Sequence, residues 1–161
     1  MTLVKWLSLA ATVGAYTVIV LGGYVSASGA GLACPDWPTC GGSLFPPLGD
    51  PKVATEWSHR LATIVEGFLM LGLVVLVWWK HRERRDLRTF ATIAFVLLVV
   101  QATIGMFAVS TELNAAVVTV HLATAVAFFA MVLLTAVAAW WPPRRPEPTA
   151  DLPPAGSRTP P

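Results

Sequence analysis

Four polar side chains interrupt one long apolar stretch at steps of three and four residues: Glu56, His59, Thr63 and Glu66. In a helix that spacing puts them on one face. A second apolar stretch carries a single histidine, His121, near its start. Polar groups inside a bilayer are costly, so these are where chemistry is expected. Either imidazole alone reads more readily as a structural group, hydrogen-bonded to a neighbouring carbonyl or hydroxyl. Two at matched depth, on helices running the same way, can instead meet from opposite sides of one metal. Two ligands do not complete a tetrahedral zinc or copper site, and no further His or Cys sits at that depth. Haem brings four ring nitrogens of its own, so two axial histidines suffice, and an apolar helical core suits its broad plane.

Glu56, three residues before His59, can deliver or accept a proton beside the ligand. It reads as well as an acid of the first helical turn, favoured there by the helix dipole. Glu66 lies deeper and needs a proton or a partner. The two cysteines lie in the stretch Cys34-Pro35-Asp36-Trp37-Pro38-Thr39-Cys40. If that stretch lies outside the cell they can form a disulfide, worth only about 2 kcal/mol for so short a loop in the chain-entropy picture. Its consequence would be a stiffened cap over the helix ends, shaped by Pro35 and Pro38 and lined by Trp37. A reactive dithiol pair, and with it a membrane thiol-disulfide oxidoreductase, is the alternative.

The elements that must position these groups follow from composition. Of 161 residues, 55% are hydrophobic and 12% charged, too apolar for an ordinary soluble domain of this length. The apolar residues fall into four blocks, 7–25, 55–79, 89–110 and 116–141. Each is close to the ~20 residues a helix needs to cross a bilayer. The blocks are apolar on every face, which excludes a barrel of alternating strands. The expected fold is therefore all-α: a polytopic membrane four-helix bundle made of two helical hairpins, over residues 1–141. A disordered Pro-rich cytoplasmic tail is expected over 142–161.

Lys80, Arg82, Arg84, Arg85 and Arg88 crowd the connection between the second and third blocks, Arg144 and Arg145 follow the fourth, and Lys5 precedes the first. The long connection 27–54 has only Lys52. The positive-inside rule then places both termini in the cytoplasm and the cysteine loop on the outer face of a prokaryotic cell membrane. The basic loop is read as this topology signal rather than as a nucleic-acid or anionic-lipid site, and no nucleic-acid partner is expected. The first block exceeds the apolar core of a typical signal peptide and is expected to stay uncleaved. His59-Arg60-Leu61-Ala62-Thr63 and His121-Leu122-Ala123-Thr124 echo each other if one residue is inserted, which suits either a duplicated hairpin or chance. His81 belongs to the basic loop and is expected in solvent.

The run from Gly22 through Cys34-Pro35-Asp36-Trp37-Pro38-Thr39-Cys40-Gly41, with Glu56-Trp57-Ser58-His59-Arg60, resembles the haem A synthase family. The resemblance extends to Gln101-Ala102-Thr103-Ile104-Gly105 and to the His121 region, so it takes in nearly everything but the tail. It implies a membrane oxidoreductase converting haem O to haem A for terminal oxidases, by oxidising a ring methyl to a formyl group. It further implies His59 and His121 as axial ligands of haem iron, Glu56 as the catalytic carboxylate and a Cys34–Cys40 disulfide. Arg60 would help hold a haem propionate, or simply snorkel to the interface. The bound haem would be a b-type cofactor, the haem O substrate, or both. Members usually have eight spans in two similar halves, whereas this chain has four and one histidine pair. A half-size member is thus expected to act as a homodimer or larger homo-oligomer. Haem O synthase and a quinone or other redox acceptor are the expected partners. The competing class is a b-type membrane cytochrome that only relays electrons, or a haem carrier.

Overall fold

A computed structural model describes residues 1–141; the proline-rich segment expected to be disordered lies outside the described residues. Four helices follow in order: α1 (Thr2–Ser28), α2 (Pro51–Lys80), α3 (Arg85–Ser110) and α4 (Ala115–Trp140). All four are long and apolar enough to cross a membrane. α1 packs on α2 and α4, and α3 packs on α2 and α4, with no contact across either diagonal among the described residues. The result is a ring of helices, each antiparallel to its neighbours, in which α2 and α4 run the same way and face each other across the centre.

Local chemistry fixes where the helices begin and end. α1 stops at Gly29, whose φ of 64° is left-handed and strains any residue with a Cβ. α2 starts at Pro51 behind Asp50, whose carboxylate accepts from the Lys52 amide at 2.8 Å. That start lies four residues before the apolar block and moves Glu56 out of the first turn, which holds no acidic residue. The dipole account of Glu56 therefore fails. Asn114 caps α4 in the same manner, accepting from Ala116 at 3.0 Å.

In lipid, apolarity does not choose a packing face; small side chains that allow close approach do. α1 buries Val4, Ser8, Ala11, Ala15, Val18 and Val25, a seam of three- and four-residue steps. Shifted by 83 residues, these become Leu87, Ala91, Ala94, Leu98, Gln101 and Ala108, the buried positions of α3. A shift of 62 carries Glu66, Met70, Leu73 and Val77 of α2 onto the buried Phe128, Val132, Thr135 and Ala139 of α4, and His59 onto His121. The two hairpins thus repeat each other in three dimensions. The burial patterns match without the insertion that the His-Leu-Ala-Thr echo requires.

One end of the bundle gathers the basic residues and an aromatic belt. Trp6 meets Trp140 edge-on at 5.6 Å, Lys5 lies over the Trp140 ring, and Arg88 lies over Trp78. Arg84 grips Asp86 through two hydrogen bonds and donates to the Ala138 carbonyl at 2.7 Å, tying the basic turn to α4. His81, expected in solvent, instead ends α2 with its side chain 13% exposed. The opposite end carries the cysteine loop.

Candidate functional site

His59 and His121 occupy the two diagonal helices at equivalent positions, related by the 62-residue shift that superimposes the burial patterns of α2 and α4. Each ring lies against a glycine of its own hairpin's first helix. A Cβ at Gly22 would sit 3.0 Å from His59 Cε1, and one at Gly105 would sit 3.1 Å from His121 Cε1. The glycines are therefore seats for imidazoles, and the repeat builds the same seat twice.

The pair is well suited to a haem. His59 Nδ1, His121 Nδ1 and the neighbouring Gln101 Oε1 are buried without a hydrogen-bond partner among the described residues. Such groups call for a ligand or water to complete them. Phe128, 1% exposed, and the apolar faces of the four helices supply the surroundings a flat macrocycle needs. No three His, Cys, Asp or Glu residues converge on a metal-binding arrangement among the described residues, whereas an iron already held by a porphyrin needs only the two imidazoles.

One turn outward of His59, Glu56 is 5% exposed and accepts from Arg60 Nε at 2.8 Å. The same guanidinium, 7% exposed, donates through Nη1 to the Thr39 carbonyl at 2.7 Å and to that of Asp36, and through Nη2 to the Cys34 carbonyl at 2.8 Å. All three of its nitrogens are engaged. In this arrangement Arg60 is a clamp that fixes Glu56 on one side and the loop backbone on the other. Removing it strands a buried carboxylate and three carbonyls. Arg60→Ala is expected to lower stability by about 3–5 kcal/mol, read as a drop in the thermal unfolding temperature in detergent. Adding Glu56→Gln should recover part of the loss.

Loop and helix meet over a small core of their own. Cys34 and Cys40 lie with Cα atoms 4.6 Å apart and their sulfurs at bonding distance, inside the range a disulfide requires. Trp57 of α2 and Val53 pack on them. Trp37, expected to line this cap, is instead 47% exposed. Asp36 organises the turn, accepting from the Thr39 hydroxyl and from the amides of Gly42 and Gly41. The Thr39 hydroxyl first, then the Gly42 amide, hold its carboxyl down to about 2. The folded value lies below the unfolded one, so this contribution is complete above the ordinary carboxylate range near pH 4 and vanishes as pH falls toward about 2. Limited proteolysis of the loop should therefore accelerate between about pH 4 and pH 2, and Asp36→Asn should make the loop labile already at neutral pH.

Four apolar helices, a diagonal histidine pair in matched glycine seats and a carboxylate clamped beside one of them define a multi-pass membrane protein of the haem-handling class. The family model for COX15-CtaA, cytochrome oxidase assembly protein, matches residues 5–158. The chain belongs to that family. It is 36% identical over 131 residues to a haem A synthase of Lysinibacillus sphaericus, covering 81% of this chain and 43% of that protein. A haem A synthase of Exiguobacterium is 31% identical, over 78% of this chain and 42% of its own length. A protohaem IX farnesyltransferase of Halobacterium salinarum is 36% identical over 146 residues, 91% of this chain but 30% of the relative. The chain thus spans less than half the length of these curated relatives.

Sequence reasoning found the histidines, Glu56 and the cysteines. It did not single out Gly22 and Gly105 as imidazole seats, and it missed the packing of Trp57 on the cysteines and the Arg60 clamp. The signal available for the seats was the repeat itself, Gly22 and Gly105 falling at one position of the duplicated hairpin.

Proposed function

We propose that this chain is a haem A synthase, oxidising the ring methyl of haem O to the formyl group of haem A. His59 and His121 would hold the haem, and Glu56 would be the catalytic carboxylate. The observation that carries the reading is the pairing of the two glycine-seated imidazoles across the bundle with Glu56 fixed one turn from His59. An electron-relaying cytochrome or haem carrier has use for the imidazoles and none for a clamped, buried carboxylate. A thiol-disulfide enzyme has use for the cysteines alone.

In this reading two successive two-electron oxidations, each adding the oxygen of one water and releasing two protons, make a hydroxymethyl group and then a hydrated aldehyde that loses water. Bound haem supplies the redox chemistry. Glu56 takes up protons released at the methyl-derived carbon, and Arg60 keeps it from swinging outward. The cysteine loop, closed by the Cys34–Cys40 disulfide and pinned by Arg60, screens this region from water. Electrons leave to a quinone or another acceptor. A homodimer or larger assembly supplies a second four-helix unit, so that substrate haem O and a b-type electron-transferring haem each have a place. The basic, tryptophan-rich end faces the cytoplasm of a prokaryotic cell and the loop faces outward. Similarity of this chain to part of a protohaem farnesyltransferase supports haem O synthase as a neighbour that delivers substrate.

The test is expression of the chain beside a source of haem O, followed by extraction and chromatography of the haems. Haem A is expected. Haem O recovered unchanged from a haem-loaded, folded protein would contradict the assignment.

A further inference from the structure

Glu66 has no part in the chemistry above, yet it is 1% exposed in the middle of a membrane-spanning helix. Neither carboxyl oxygen has a hydrogen-bond partner among the described residues. Its side chain lies across a notch in α1: a Cβ on Gly14 would come within van der Waals overlap of Glu66 Oε2. The equivalent position in the second hairpin is the buried Phe128, so the core at this level does not itself call for a polar group. An unpartnered carboxyl in hydrocarbon is costly in either protonation state.

Glu66 also lines a cavity of about 360 Å³ between α1 and α2, walled by Gly14, Ala62, Val65 and Leu69. That is within the size of small-ligand pockets, ~300–1,000 Å³. Leu61 and Val65 at its rim are 48% and 52% exposed, so it opens sideways toward lipid. The other polar lining groups are occupied: Thr17 donates to the Val13 carbonyl at 2.9 Å and Ser58 to that of Ala54 at 2.6 Å. The walls thus fit a hydrocarbon chain, with the unpartnered Glu66 carboxyl buried just behind the inner edge.

Glu66 follows His59 by seven residues, two helical turns and ~10 Å deeper on the same side of α2. An ordinary lipid carries its polar atoms at the interface and fills such a groove without satisfying a group at this depth. A hydroxyl close to the start of a prenyl chain does satisfy it, because a hydroxyl both donates and accepts. We propose that Glu66 and the α1–α2 groove form the subsite for the hydroxyl-bearing prenyl substituent of the substrate haem, Glu66 bonding the hydroxyl and the groove taking the chain toward lipid. This rests on the haem O reading above and adds to it how haem O is told from haem B, which lacks both features.

The test is spectral titration of the purified full chain in detergent with haem O and with haem B. The unaltered chain is expected to bind haem O about tenfold or more tighter, the scale of one buried hydrogen bond with chain burial in addition. Glu66→Leu and, separately, Ala62→Trp, which fills the groove and leaves the carboxyl, should bind haem B as before and lose most of that preference. Glu66→Gln, which keeps a hydrogen-bonding group, should retain most of it. Unchanged haem O preference in both Glu66→Leu and Ala62→Trp overturns the subsite and leaves the synthase reading standing. Failure of the unaltered chain to bind either haem overturns both.

Discussion

Glu56→Ala is expected to retain haem and lose product, with haem A formation falling by about 10²–10⁴-fold, the range for loss of a positioned acid-base group. The imidazole seats stand on Gly22 and Gly105, whereas Glu56 is held by Arg60, so loading should survive the change. The variant also frees the Arg60 Nε from its partner while leaving the three loop carbonyls bound, so the loop should stay closed. Glu56→Gln separates the two roles further. It keeps a hydrogen bond to Arg60 and removes the proton acceptor, so the fold should approach that of the unaltered chain while synthesis stays low. The measurement is the ratio of haem A to total haem in extracts, normalised to protein. Synthesis at the unaltered rate in both variants would remove Glu56 from the chemistry and leave the carboxylate a structural partner of Arg60.

The second large effect concerns the ligands. His59→Ala and His121→Ala should each reduce haem retained through purification by more than about tenfold, since under the proposed function each would remove one of the two bonds from protein to iron. Because the seats are equivalent, the two losses should be of similar size. The mechanism demands symmetry here, whereas a structural histidine paired with an unrelated ligand would give one severe variant and one mild one. Gly22→Ala and Gly105→Ala offer the gentler control, since a Cβ at 3.0 or 3.1 Å forces its imidazole to shift without removing it.

Much of this was legible in the residues. Four blocks near the length of a membrane span, apolar on all sides, leave helices as the one economical reading, and the structure has four such helices. His59 and His121 stood out because lipid penalises polar groups. The helix start at Pro51 was written in Asp50-Pro51 and was passed over in favour of the edge of the apolar block; a capping signal defines a helix end better than hydropathy does.

Other features lay beyond sequence reasoning for identifiable reasons. The Arg60 clamp closes on backbone carbonyls 21 to 26 residues earlier, and a carbonyl leaves no residue-specific mark in a sequence. The repeat of the hairpins is carried by burial positions rather than by residue identity: Ser8 matches Ala91, and Glu66 matches Phe128. A sequence echo that required an insertion pointed to duplication with the wrong alignment. The Glu66 groove depends on Gly14, fifty-two positions away, leaving room for its carboxyl.

The central claim is that one iron is held by two imidazoles, one from each hairpin. Its most direct test is the low-temperature magnetic resonance spectrum of the purified chain carrying ferric haem. The account predicts the rhombic, low-spin signal of bis-imidazole coordination, collapsing to a high-spin signal when either histidine is replaced. A high-spin signal from the unaltered chain, or a low-spin one that persists without His121, would contradict it.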